Sequence, residues 1–167
     1  TVAAGFGAEG YALINPGAAG PNKRWTPHRF GVLAAEMRER IRVRSLVLWG
    51  PGEEGIASLV VSSSRGAAEL SPPTNIVDIF AIARRAKLMV SGDTGPLHIA
   101  AAVGTPVVAL FGPTYAERNG PWSSDDITIS RNARCFCHYE RKCRLLQPCI
   151  EDIAVDEVVA AAEYRVA

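Results

Sequence analysis

The stretch "SGDTGPLH" sets an aspartate, a threonine, a glycine and a histidine directly behind the apolar run "KLMV". Thr94 and Gly95 open a helix that contains His98. Free N–H groups in the first turn, together with the helix dipole, make such a start an anion site. Asp93 at the strand terminus would repel that anion unless it faces something else, such as sugar hydroxyls. A purely structural reading makes Asp93 the helix N-cap and His98 a packing residue. An N-cap explains the aspartate but not the whole Asp-Thr-Gly-Pro-Leu-His run.

Two further strand ends gather unusual residues, "NPGAAGPNKRW" and "WGPGEEG". In the first, residues 17–20 are small enough for phosphates to approach the backbone. Lys23 ends that loop, where a cation could pair with a phosphate. A Gly-rich surface turn with a solvated lysine is the plainer alternative. Neither G-x-x-x-x-G-K-[ST] nor G-x-G-x-x-G is present, which disfavours a P-loop and a plain NAD site.

The elements that must position these corners are legible in the same sequence. "YALIN" predicts a strand stopped by Asn15-Pro16-Gly17. Thr26 caps a helix with Pro27 at its first position, and Phe30, Leu33, Ala34 and Met37 share one face. "SLVLWG" predicts a second strand, "EEGIASLVVSSS" a helix acidic at its start, and "AAEL" a weak third strand. "TNIVDIFAIARRA" carries Ile76, Ile79, Phe80 and Ala83 at helical spacing. "KLMVSGD" and "VVALFGPT" are continuous apolar runs, as central parallel strands covered on both faces require. "DITIS" alternates as an edge strand does, and "VDEVVAAAEYRVA" predicts a last helix capped by Asp156. The alternation implies an α/β fold, a doubly wound Rossmann-like parallel sheet of about six strands. All three polar corners then fall on one sheet edge, outside the carboxyl ends of the strands, where ligands bind.

Composition narrows the function classes. The 167 residues suit one domain, and 48% hydrophobic content with 21% charge suits a packed core. A net charge of +1 supplies no field for nucleic acid. No apolar run reaches the roughly 18–20 residues of a membrane span. Residues 1–11 read as a linker or upstream remnant without signal-peptide features, and 12–167 as the domain.

"GDTGPLHIAAAVGTPVVALFGPT", with "NPGAAGPNKRW" upstream and a Cys-rich stretch downstream, resembles the lipopolysaccharide heptosyltransferases of glycosyltransferase family 9. The likeness runs from about residue 12 onward. It implies a GT-B enzyme with two Rossmann-like domains, of which this sequence resembles the second, the binder of the nucleotide-sugar donor. Carried over by position, Lys23 and the loop of Gly17, Ala18 and Ala19 go to the donor diphosphate. Asp93 goes to hydroxyls of the transferred sugar, the Thr94 and Gly95 amides to the phosphates, and His98 alongside. Glu53 and Thr74 correspond to ribose and base contacts. Ala18 and Ala19 stand where some members place hydroxyl residues, which leaves only backbone donors there.

The resemblance implies ADP-heptose as donor, the lipopolysaccharide inner core as acceptor, and a cytoplasmic enzyme with peripheral association at the inner membrane. The family's proposed general base lies in the first domain, so this chain by itself is expected to be inactive. Lys23 and the helix behind Asp93 would stabilise the leaving diphosphate without a metal or other cofactor.

All four cysteines, at 135, 137, 143 and 149, lie in "CFCHYERKCRLLQPC". Four soft ligands this close could bind zinc or an iron–sulfur cluster. The Cys-x-Cys opening is not the usual Cys-x-x-Cys knuckle, so ordinary thiols in a surface loop, with no metal, are expected. Arg131, Arg134, Arg141, Lys142 and Arg144 could meet anionic lipid or acceptor, or simply form a solvated charge run. Two other readings stay open: a sugar-nucleotide enzyme resembling the non-hydrolysing epimerases, and a non-catalytic nucleotide- or metal-binding module. "KRW" and "LFGPT" favour the heptosyltransferase reading over the epimerase one.

Overall fold

The structure is a computed structural model, and it describes residues 10–138, 140 and 142–167. Residues 1–9 of the linker expected over 1–11, and the basic Arg141, lie outside the described residues, while Tyr11 is not linker but the buried first residue of the first strand. Six strands form one sheet: β1 (Tyr11–Asn15), β2 (Arg44–Val47), β3 (Ala68–Leu70), β4 (Leu88–Gly92), β5 (Val107–Phe111) and β6 (Ile127–Ser130). Their spatial order is β3-β2-β1-β4-β5-β6, and every pairing is parallel. Among the described residues six α-helices alternate with them: α1 (Pro27–Ile41), α2 (Glu54–Ser63), α3 (Ile76–Ala83), α4 (Gly95–Ala102), α5 (Ala116–Asn119) and α6 (Val155–Val166).

The period-2 geometry of strands divides the central apolar runs between two cores. Ala12, Ile14, Val90, Val108 and Leu110 pack with residues of α1, α2 and α6. Tyr11, Leu13, Met89, Ala109 and Phe111 pack on the other face with Ile82 and Ala83 of α3 and Leu97 and Ala100 of α4. Every residue of β1, β4 and β5 is buried, which is why these strands read as unbroken apolar sequence. β6 lies at the sheet edge, as its alternation predicts.

Helix packing explains one glycine directly. A Cβ on Gly31 would collide with Ser63 and with the Val60 carbonyl, so the close approach of α1 and α2 needs its absence. Two expectations fail at helices. α6 is preceded by Ala154 in the cap position, so Asp156 sits in its first turn, where the dipole favours it, and does not cap it. α3 buries only Ile82 and Ala83, while Ile76, Val77 and Phe80 are exposed. Its sequence is apolar nearly all round, and the sheet covers only the C-terminal turn. Asn75 and Asp78 form a reciprocal capping box that fixes where α3 begins.

A buried carboxylate ties α1 to the segment before α6. Arg29 Nη1 donates to the carbonyls of Glu151 and Ile153 and lies 3.6 Å from Glu151 Oε2. Burial pushes the Glu151 carboxyl above its ordinary value of 4.5, and Arg29 and Thr26 only partly oppose this. The folded state therefore holds this proton more tightly than the unfolded chain does. Stability from this group is fully present below the unfolded pKa and is lost as pH rises through the folded one. Glu151→Gln is expected to flatten the fall of unfolding free energy in the window above pH 4.5. Urea titrations across pH check this, and an unchanged slope would refute it.

Candidate functional site

The three polar corners meet. A cavity of about 980 Å³ opens at the carboxyl ends of β1, β2 and β4. Its walls include Gly17, Ala18 and Ala19 after β1, Trp49 and Glu53 after β2, Thr74 and Ile76 at the start of α3, and Asp93, Thr94, Gly95 and His98 after β4. β1 and β4 are adjacent although β2 and β3 separate them in sequence, so the strand order reverses here. Such a switch point leaves a crevice between diverging loops, the usual ligand site of an open α/β sheet.

Asp93 is the hub of one side. Its Oδ2 lies 3.7 Å from Lys23 Nζ and accepts from Asn119 Nδ2 at 3.2 Å, and its Oδ1 lies 3.7 Å from His98 Nε2. Lys23 thus meets the cavity through Asp93, at the end of the short 3-10 turn Pro21–Lys23. The carboxylate is mostly shielded, whereas Lys23 and His98 remain partly open to solvent.

The cap of α4 is Thr94, not Asp93, and its side chain makes no cap hydrogen bond. Thr94 Oγ1 instead accepts from Asn15 Nδ2 at 3.0 Å and pairs with Ser91 Oγ at 2.9 Å. Asn15 Nδ2 also reaches Ser91 Oγ at 3.3 Å, so a buried polar network joins the ends of β1 and β4. With that hydroxyl engaged elsewhere, the first-turn amides of α4 keep no capping acceptor. A Cβ on Gly95 would meet nothing within 4 Å, so the space before this helix start is open.

The opposite side is built around Glu53. Its Oε2 accepts from the Gly50 amide at 3.1 Å, and Arg24 Nη2 lies 3.9 Å from Oε1. Arg24 also donates twice to the Ala18 carbonyl, at 3.1 and 2.9 Å, which fixes the Gly17 loop. A Cβ on Gly17 would collide with the Glu53 carboxylate. The smallness of Gly17 therefore seats Glu53, a role distinct from the phosphate approach that its loop suggests. Trp49 Nε1 donates to the Ser71 carbonyl at 2.8 Å and holds its ring as cavity wall.

Asn15, Arg24, Trp49 and Asn119 are site residues that sequence reasoning missed. Asn15 had a usable signal, a polar side chain closing an apolar central strand. Arg24 had another, a second cation beside Lys23. Asn119 had none, since it reaches Asp93 from a four-residue helix.

The cysteines depart from expectation. Cys135, Cys137 and Cys149 are buried and Cys143 packs against them, so they are not surface-loop thiols. Burial, followed by the neighbouring thiols, pushes Cys149 up to about 12 and also raises Cys143. Of the basic residues nearby, Arg131 pairs with Glu157, Arg134 with Asp152 and Arg144 with Glu140, while Lys142 is exposed. No helix among the described residues is long and apolar enough to cross a membrane.

Comparison with known proteins agrees with this geometry. The model of glycosyltransferase family 9 (heptosyltransferase) matches residues 2–148. Lipooligosaccharide heptosyltransferase 2 of Campylobacter jejuni is 23% identical over 159 residues, which cover 90% of this chain and 49% of that protein. The chain spans about a third to a half of the length of the curated relatives it matches. Among solved structures, the family 9 glycosyltransferase of Veillonella parvula superposes with a TM-score of 0.78 at 23% identity, covering 96% of this chain and 47% of that one. Escherichia coli heptosyltransferase WaaC with ADP gives 0.76 at 20% identity, covering 95% and 45%. WaaC with ADP-2-deoxy-2-fluoro heptose gives 0.70 at 21%, covering 92% and 42%. The doubly wound parallel sheet is thus the fold of about half of each solved relative. With its family model matched over most of its length, the chain belongs to glycosyltransferase family 9, the heptosyltransferases.

Proposed function

We propose that residues 12–167 are the donor-binding domain of a GT-B heptosyltransferase. The enzyme moves a heptose from ADP-heptose to the lipopolysaccharide inner core. The observation that carries this reading is the convergence of all three polar corners on one cavity at the switch point. The solved relatives with ADP and with a fluorinated ADP-heptose support the donor class.

In this reading the diphosphate lies against the start of α4 and the Gly17 loop, where Gly95 leaves open space. Glu53 and the Thr74 turn face ribose and base, and Trp49 and Ile76 supply apolar wall. Asp93 accepts from hydroxyls of the transferred sugar. Negative charge grows on the diphosphate as the glycosidic bond stretches. Lys23 and the helix dipole stabilise that charge from fixed positions. The acceptor hydroxyl and the base that deprotonates it come from across the cleft. The enzyme works in the cytoplasm, and the exposed Lys142 and the neighbouring Phe136 and Leu146 support a peripheral contact with an anionic membrane.

Calorimetric titration with ADP, UDP and ADP-heptose tests the donor assignment. ADP and ADP-heptose are expected to bind weakly and UDP more weakly still, with no transfer by the chain alone to a deacylated core acceptor. Turnover is expected on adding a separately expressed N-terminal domain of a relative. Absence of nucleotide binding would refute the site. Robust turnover by the chain alone would place the general base among Asp93, His98 and Glu53.

A further inference from the structure

The described residues between Cys135 and Cys149 form a long connection with little regular structure, and such a segment needs something to hold it. Its buried centre is unusual. Cys135, Cys137, Cys149 and the adjoining Cys143 make a cluster separate from both cores, with no other apolar side chain in it among the described residues. All four are free thiols. Cys135 and Cys137 Sγ stand 3.5 Å apart, with Cys143 and Cys149 packed in the same cluster.

N–H donors reach Cys135 and Cys137, while the Glu140 carboxylate lies near enough to Cys143 to oppose its ionisation. The Cys137 amide donates to Cys135 Sγ at 3.3 Å. That bond runs from residue i+2 back to the cysteine at i, so a backbone corner aims an N–H at the sulfur. Asn22, 2% exposed, adds its Nδ2 to Cys137 Sγ at 3.7 Å and to the Glu140 carbonyl at 2.9 Å. A neutral thiol is a weak acceptor and gains little from such bonds, whereas a metal-bound thiolate carries charge that N–H donors stabilise. Spacing fits as well: Cys-x-Cys and two single cysteines, each six residues on, bring ligands from both arms of the loop.

We propose that Cys135, Cys137, Cys143 and Cys149 bind one divalent metal ion, zinc or iron(II), in a closed tetrathiolate site. Each thiol gives up its proton to solvent and donates a sulfur lone pair to the metal, with no change of oxidation state. Among the described residues no three such groups yet surround a common point at bonding distance, so binding draws the two thiol pairs together. Four protein ligands leave no position for substrate, so the site is structural. What it fastens is specific. Asn22 precedes Lys23, so the metal site anchors the turn that presents Lys23 to Asp93.

The test uses the whole chain, stripped by chelator under reducing conditions and titrated with Co²⁺. About one Co²⁺ per chain is expected, with intense visible bands and sulfur-to-metal charge transfer, the signature of a tetrahedral thiolate site. Zn²⁺ should displace it and protect all four thiols from a disulfide reagent. Elemental analysis of freshly purified protein tells zinc from iron. Cys143→Ser, at the half-buried position, is expected to lose most of the band while far-ultraviolet dichroism stays unchanged. Weak octahedral cobalt bands, or thiols that react equally fast with and without zinc, would overturn the site. So would oxidation of the stripped chain to two disulfides with no metal uptake beforehand.

Discussion

Lys23→Ala is expected to weaken ADP binding by about 1.5–3 kcal/mol, the range for a hydrogen bond to a charged group, or roughly 10- to 150-fold in Kd. The Lys23–Asp93 pair is long, at 3.7 Å, and partly open to water. Such a pair contributes little to stability, so the ammonium is free to turn its remaining donors toward a diphosphate. Alanine removes that cation and also leaves Asp93 less neutralised beside the incoming anion. Asp93→Asn separates the two effects. It relieves the repulsion and keeps Lys23, so ADP binding should hold or strengthen while ADP-heptose loses its hydroxyl acceptor. Isothermal calorimetry reads both variants, and unchanged affinity in Lys23→Ala would return that lysine to the solvated surface.

Trp25→Ala should cost about 3–5 kcal/mol of unfolding free energy, as large aromatic deletions in cores do. Trp25 is 1% exposed and packs edge-on against Phe30, with ring centroids 4.9 Å apart. Its Nε1 donates to the Ile153 carbonyl at 3.0 Å, so the truncation also removes a buried hydrogen bond and leaves Arg29 as the remaining donor to that carbonyl. A loss of this size is a large fraction of the 5–15 kcal/mol that holds a typical domain together. Trp25→Phe keeps most of the ring volume and should cost clearly less. Because Trp25 follows Lys23 and Arg24, its packing also fixes both site cations. Urea unfolding of the two variants measures this, and equal losses would mean that the hydrogen bond, not the packing, dominates.

The sheet was legible because physics writes it twice. β1, β4 and β5 are buried on both faces, so the chain is apolar at every position up to the polar strand ends at Asn15 and Ser91, and no helical period competes with that pattern. The turn residues after those strands, Asn15-Pro16-Gly17 and Gly92-Asp93, mark the same edge again. The site was legible as corners, since Lys23, Glu53, Asp93 and His98 are polar groups at strand ends. Their partners were not. Arg24 pairs with Glu53 and Asn119 with Asp93 across long sequence separations that no local pattern encodes. α3 misled for a different reason: Ile76, Val77 and Phe80 are apolar yet exposed, and Ile76 and Val77 border the cavity instead of the core. Burial of the cysteines was hidden because spacing alone says nothing about whether a loop folds back on the domain.

The reversal of strand order has a consequence for how this domain folds. Asn15 and Ser91, 76 positions apart in the chain, touch, and the whole of β2 and β3 lies between them in sequence. A parallel pairing that distant must close its loop before it gains any contact, which makes it slow. The β1-β2-β3 half can assemble on shorter connections, but it carries the Gly17 loop with nothing opposite. The crevice comes into being only when β4 inserts beside β1. A nucleotide therefore has no partially folded species to select, and it acts by slowing escape from the native state, leaving the approach to it unhurried.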